Sequence, residues 1–109
     1  MAETRGQLNY VRGKTTNLPV TSTAVLTCPA AMSARLDSIW VSNPTGGAIT
    51  VTLYHGADQI GTDSIAAGGY KSYTPDICLS NGEALNAKGS ATGLNVWAAA
   101  EVVYLPQGG

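Results

Sequence analysis

Phenylalanine is missing from this chain of 109 residues, histidine occurs once, cysteine twice, and charged residues make up only 12%. Each shortage narrows what the protein can do. A single histidine cannot complete a typical zinc site, and no serine, cysteine or carboxylate around His55 forms a nucleophile motif. His55 itself reads as a strand-end surface residue. Asp58, Asp63 and Asp76 fall in turns or at strand ends, where aspartate commonly bonds to nearby backbone, and they do not follow a calcium-loop spacing. Gly46-Gly47 and Gly68-Gly69 precede no helix, so no phosphate-cradling loop is implied. The expectation is a protein that is not an enzyme, with no catalytic residue, no metal and no cofactor.

The charged share is about half the usual ~25%, and the net charge of −1 has no basic block behind it. The long-range attraction that drives phosphate-backbone binding is therefore weak, and nucleic acid is not an expected partner. No run approaches the ~20 apolar residues needed to cross a bilayer, so no membrane contact is expected. The opening Met1-Ala-Glu-Thr-Arg-Gly6 has no apolar stretch resembling a signal peptide, and a soluble protein made in the cytoplasm is expected. Cys28 and Cys78 each lie in a short apolar segment and read as reduced core thiols. Hydrophobic residues still reach 44%. With so few charges, the remaining surface is rich in Thr, Ser, Asn and Gly, which suits close contact with other proteins.

What the sequence does contain is alternation. In Ala48-Ile-Thr-Val-Thr-Leu-Tyr-His55, Ile49, Val51 and Leu53 alternate with Thr50, Thr52 and Tyr54, the pattern of a half-buried strand. Together with Ser38-Ile-Trp-Val-Ser42 and the turn Asn43-Pro-Thr-Gly-Gly47 it reads as a β-hairpin. A second hairpin is expected from Leu53-Tyr-His55, the turn Gly56-Ala-Asp58 and Gln59 to Ile65. Tyr70 to Thr74 forms a further strand, with Tyr70, Ser72 and Thr74 on one face and Lys71 and Tyr73 on the other. Pro75 ends it or places it at an edge. Ser80-Asn-Gly82 is a turn before Glu83 to Lys88. The last strand, Leu94 to Tyr104, turns Leu94, Val96, Ala98, Ala100, Val102 and Tyr104 to one side. Its alternation and β-branched residues outweigh the helix propensity of Ala98-Ala-Ala100. With Ala24–Cys28 and Arg35–Ser42, about seven or eight strands follow one another at ~10-residue spacing with no helix, which predicts an all-β antiparallel sandwich or barrel.

Residues 1–23 read as an N-terminal arm and connector ahead of a sandwich domain at 24–109. Up to Val20 the arm holds Arg5, Arg12 and Lys14, half of the six basic residues. It contains one strand, Gln7-Leu-Asn-Tyr-Val-Arg12, which is either an edge strand of the sandwich or an arm that pairs with a neighbouring subunit. Among the aromatic residues, Trp40 reads as core and Trp97 as an exposed contact. The candidate protein-interface residues are Leu8, Tyr10, Arg12, Tyr70, Tyr73 and Trp97. A sugar-binding alternative would stack saccharides on Trp97, Tyr70 and Tyr73.

The succession Ser38-Ile-Trp-Val-Ser-Asn43, Ala48-Ile-Thr-Val-Thr-Leu-Tyr54, Ala67-Gly-Gly69, Leu79-Ser-Asn-Gly-Glu-Ala-Leu-Asn-Ala87 and Gly93-Leu-Asn-Val-Trp97 resembles small β-sandwich virion proteins of tailed bacteriophages. The likeness covers about residues 24–104. It lies in a strand ending in Val-x-Asn before a Thr/Val strand, and in a late Gly-Glu-x-Leu-x-Ala segment before the final strand. The resemblance implies a jelly-roll-like domain in a capsid decoration (cement) protein, or in a neck, tail or baseplate component. It also implies a virion location, contacts with the major capsid protein or other virion proteins, and a homo-oligomer, with a trimer as the natural form for a decoration protein. A carbohydrate-binding module that recognises the host is the reading from another class.

Overall fold

Period-two burial runs through most of the longer strands of the protein. A computed structural model describes residues 9–104 and contains, among them, nine strands and no helix. These are β1 (Asn9–Leu18), β2 (Thr23–Thr27), β3 (Met32–Ser42), β4 (Ile49–His55), β5 (Asp58–Ile65), β6 (Tyr70–Tyr73), β7 (Cys78–Leu79), β8 (Ala84–Gly89) and β9 (Leu94–Tyr104). They form two antiparallel sheets. Sheet A has the order β1-β9-β3-β6, with β7 also on β3, and sheet B the order β2-β8-β4-β5. Because β6 and β7 both pair with β3, they act as one interrupted strand. Two four-strand sheets wound alternately by one chain are the arrangement of a jelly-roll sandwich.

The core lies between the sheets. Leu36, Ile39 and Val41 of β3 and Leu94, Val96, Ala98, Ala100 and Val102 of β9 face Ile49, Val51 and Leu53 of β4 and Leu85 and Ala87 of β8, all buried. Burying a Leu, Ile or Val side chain contributes about 1.5–3 kcal/mol. This aliphatic layer is therefore the main stabilising term in a protein with few charges. The alanines of β9 belong to it because small side chains on the central strand admit the larger ones opposite.

The second expected hairpin is present. β4 and β5 pair directly, with His55 opposite Asp58 around Gly56, whose φ of 64° suits the first central position of a two-residue turn. The first expected hairpin is not, because β3 and β4 belong to different sheets. Alternation could not separate these cases, since both strands turn apolar residues to the same interior either way. The corner is decided by Asn43, the one fully buried polar side chain among the described residues. Its Nδ2 donates to the carbonyls of Gly47 (2.8 Å) and Ile65 (2.9 Å), while its Oδ1 accepts from Thr45 N (3.0 Å) and Thr45 Oγ1 (2.6 Å). Its own N–H donates to Gly69 O at 2.8 Å. One amide thus ties the start of the crossing to the far end of β5 and the approach to β6.

Trp40 is not core but exposed, at 42% of its surface. A β-bulge explains it. Leu36 stands opposite Ala100 and Ser38 opposite Ala99, so Asp37 is an extra residue that shifts the period by one. Beyond the bulge Ile39 and Val41 point inward and Trp40 outward. Residues 9–18 of the N-terminal segment form the edge strand of this chain's own sheet A, paired with β9. On that side the two sheets meet closely, and a Cβ on Gly13 would collide with the Val25 carbonyl of β2.

Asn43→Ala should lower the unfolding free energy by about 3 kcal/mol, because the Ile65 carbonyl and Thr45 lose buried partners together. Urea denaturation measures it, and a loss below about 1 kcal/mol would show that the corner does not depend on the amide.

Candidate functional site

The outward residues of sheet A align in rows across its strands. One row is Lys14, Trp97, Trp40 and Ser72, set by the pairings Lys14 with Trp97, Trp97 with Trp40, and Trp40 with Ser72. Next to it runs Arg12, Ala99 and Ser38, and then Tyr10, Glu101, Arg35 and Cys78. On the other side, Ser42 opposite Tyr70 completes the aromatic group, because the Tyr70 ring stacks on Trp40 with centroids 4.4 Å apart and planes 12° from parallel. Lys14 Nζ lies 6.0 Å from the Trp97 ring centre, within cation–π reach. An exposed aromatic surface therefore spans all four strands of the sheet.

The row of small residues, Ala99 and Ser38, floors a depression of about 360 Å³ walled by Trp40 and Trp97, with Arg12 and Lys14 at its β1 end. Across the floor from the tryptophans, Arg35 donates to Glu101 Oε1 (2.9 Å) and Asp76 Oδ1 (3.1 Å). Those two carboxylates, Glu101 first, push the Arg35 pKa further up.

A second depression, about 450 Å³, opens at the opposite edge of the sandwich between β5 and β6, over Ile39, Val51, Leu53, Ile60 and Ile77. Asp63 clasps its mouth. Lys71 Nζ donates to Asp63 Oδ1 and Tyr73 Oη to Oδ2, each at 2.9 Å. The Lys71 bond, then that of Tyr73, holds the Asp63 carboxyl below its usual value of 3.8, while burial, then Asp63, pushes Tyr73 up to about 12. Asp63 is thus a mid-strand bridge between sheets rather than a turn residue. At the other end of β4, His55 Nε2 lies 2.9 Å from Glu83 Oε1, which also accepts from Ser80 N at 2.7 Å. The Ser80 bond, followed by His55, lowers the Glu83 pKa.

Of the residues singled out from sequence, Tyr10, Arg12, Tyr70 and Trp97 all lie on the outer face of sheet A, with Tyr10 and Tyr70 at opposite corners. Tyr73 does not, since it points into the β5–β6 mouth, and Leu8 lies outside the described residues. The surface gains Trp40 and Lys14, which sequence reasoning missed. The signal for Trp40 was Asp37, a charged residue interrupting an apolar strand and here the bulge. Cys28 is buried, and burial raises its thiol pKa; Cys78 is not core but exposed, because Leu79 takes the inward position opposite Ala34. Among the described residues no group of three His, Cys, Asp or Glu is placed to hold a metal ion.

No protein-family model and no curated protein matches the chain. Among solved structures it is similar to a chain of the Bacillus endospore appendages, which are disulfide-linked pili, with 16% identity, a TM-score of 0.50 and 97% of each chain covered. It is also similar to the Drosophila NLP core, studied for pentamer formation and histone binding, with 13% identity, a TM-score of 0.56 and coverage of 87% of this chain and 98% of that one. The Tobacco streak virus coat protein matches at 11% identity and a TM-score of 0.48, over 94% of this chain and 90% of that one. At such identities the first two likenesses establish a shared β-sandwich fold.

Asp63 contributes stability that is present above pH 3.8 and is lost as pH falls through its lowered native value. Tyr73 contributes stability that is present below pH 10 and is lost as pH rises through about 12. Asp63→Asn should therefore melt below the wild type at neutral pH and converge with it in strong acid, and the Tyr73 titration should move to lower pH. A constant melting difference at every pH would remove Asp63 ionisation as the cause. A disulfide-exchange reagent should label one thiol quickly, Cys78, and the second only after unfolding; two fast thiols would contradict the burial of Cys28.

Proposed function

We propose that this chain is a structural subunit of a bacteriophage virion, acting as a capsid decoration protein that stabilises the head through protein–protein contacts. The observation that carries an assembly role is the exposed aromatic face of sheet A. Tyr10, Trp40, Tyr70 and Trp97 lie on one face of a chain with very few charges, and aromatic residues flanked by arginine are what interface cores are enriched in. A large exposed patch of this kind on a small domain marks an interaction site. The resemblance of the strand-and-turn order to phage virion proteins suggests the particular setting. Neck, tail or baseplate placement uses the same face in the same way.

The partner is the major capsid protein or another virion protein, and the subunit acts as a homo-oligomer, with a trimer the simplest form on a three-fold axis. No chemistry is assigned to it. Leu8 precedes the edge strand β1 in the chain and is proposed to extend this contact. Tyr73 is proposed to contribute from the adjoining sheet edge, and a host glycan remains the partner under the alternative reading. The subunit is proposed to be made in the host cytoplasm and to end in the virion.

Particles purified from the phage that encodes it should contain the protein, and particles lacking it should lose their DNA at lower temperature. Trp40→Ser combined with Trp97→Ser should leave the circular dichroism and melting midpoint nearly unchanged, since both rings are exposed, yet remove the subunit from particles. Particles that never contain the wild-type protein would end the virion reading. Full incorporation of the double variant would move the contact to another face.

A further inference from the structure

We propose that the depression on sheet A is a binding site for an acidic saccharide. The inference goes beyond assembly and does not depend on it, because it concerns what one subunit holds between two rows of its own side chains. Its floor, Ala99 and Ser38, is one residue row wide, and neighbouring rows on a strand face stand roughly 7 Å apart, room for one sugar chain lying across the strands.

The walls differ in chemistry, and each matches a different part of a sugar. Trp97 and Trp40 present flat apolar surface on one side, held in place by Lys14 over the first ring and Tyr70 stacked on the second. That geometry suits the C–H face of a pyranose. On the side away from the tryptophans the Ser38 hydroxyl lies in the floor, and one residue row beyond it stand Glu101 and Arg35, an acceptor and a donor already fixed to each other. Such groups exchange hydrogen bonds with sugar hydroxyls without reorganising. At the β1 end Arg12 and Lys14 both line the depression, and no carboxylate lines it there. A ligand with its negative charge at that end and neutral hydroxyls toward β3 fits this polarity.

The same polarity argues against a nucleic-acid strand. Glu101 stands one residue row from the floor and Asp37 is exposed beside Ser38, so phosphates running on past the β1 end would come near carboxylates instead of further cations. Two cations at one end recognise one acidic group, such as the carboxylate of a uronic acid, better than a polyanion.

Both tryptophans of the chain line the depression, so intrinsic fluorescence reads the site directly. Titration of the full chain with trigalacturonate should change tryptophan emission saturably, whereas neutral cellotriose should bind about tenfold more weakly. Arg12→Gln should remove the preference for the acidic sugar while leaving cellotriose binding unchanged, a difference that general destabilisation would not produce. Trp40→Ala and Trp97→Ala should each weaken binding about tenfold, read by calorimetry, with Trp→Phe at either position retaining most of it. Asp37→Asn should tighten it. Equal affinity for both sugars, or no saturable change with trigalacturonate, would overturn the proposal, as would a thymidine octanucleotide binding more tightly than either. Particle incorporation of the wild-type chain, measured in parallel, separates failure here from failure of the virion reading.

Discussion

One buried amide sets the path of this chain. Every connection except β4–β5 and β6–β7 carries the backbone from one sheet to the other. A crossing chain must leave its ladder, and the peptide groups it exposes there still need partners. Asn43 provides them at the β3–β4 corner, bonding to Gly47, Thr45 and the Ile65 carbonyl at the end of β5 from a position with no exposure. Because its oxygen and one of its N–H groups hold the Thr45–Gly47 turn while Nδ2 also reaches the Ile65 carbonyl, the crossing is fixed to the end of β5. Sheet B is thereby placed over β3 and β9, and the aliphatic layer closes between them.

The two edges of the sandwich are finished differently. At the β1–β2 edge Gly13 lets backbones approach until no side chain fits, so the core is sealed by main chain. At the β5–β6 edge the sheets part, leaving an apolar hollow that is clasped by Asp63, Lys71 and Tyr73 rather than filled. The outer faces diverge as well. Sheet B shows hydroxyl groups at Thr50, Thr52, Thr62 and Ser64, while sheet A gathers tryptophan, tyrosine and basic residues. An assembling subunit needs such asymmetry, because two equivalent faces would not choose an orientation on a partner.

Much of this was legible in the residues. Period two in β4 and β9 fixed which of their side chains enter the core, and the turn at Gly56-Ala-Asp58 fixed the β4–β5 hairpin, since both depend on neighbours along the chain. The all-β sandwich follows from the same local rules; Pro75 marked the strand before it as ending there or lying at an edge, and β6 ends at Tyr73 and lies at the edge of sheet A. What local rules could not reach was pairing. Ile39 and Val41 face inward whether β3 turns back on β4 in one sheet or lies across from it, and only contacts with Ile65 and Gly69, more than twenty residues away, separate the two. The interaction face shows the same division. Tyr10, Arg12, Tyr70 and Trp97 were visible as outward residues of separate strands, but their meeting required β1 and β3 to flank β9. Trp40 joined them because one extra residue at Asp37 reversed its side, a shift that the charge at Asp37 hints at in the sequence and that pairing with β9 realises. The sequence by itself determined the strands and most of their inward faces; the tertiary structure decided which strands are neighbours, because hydrogen-bonded ladders and buried corners join residues that composition and spacing do not connect.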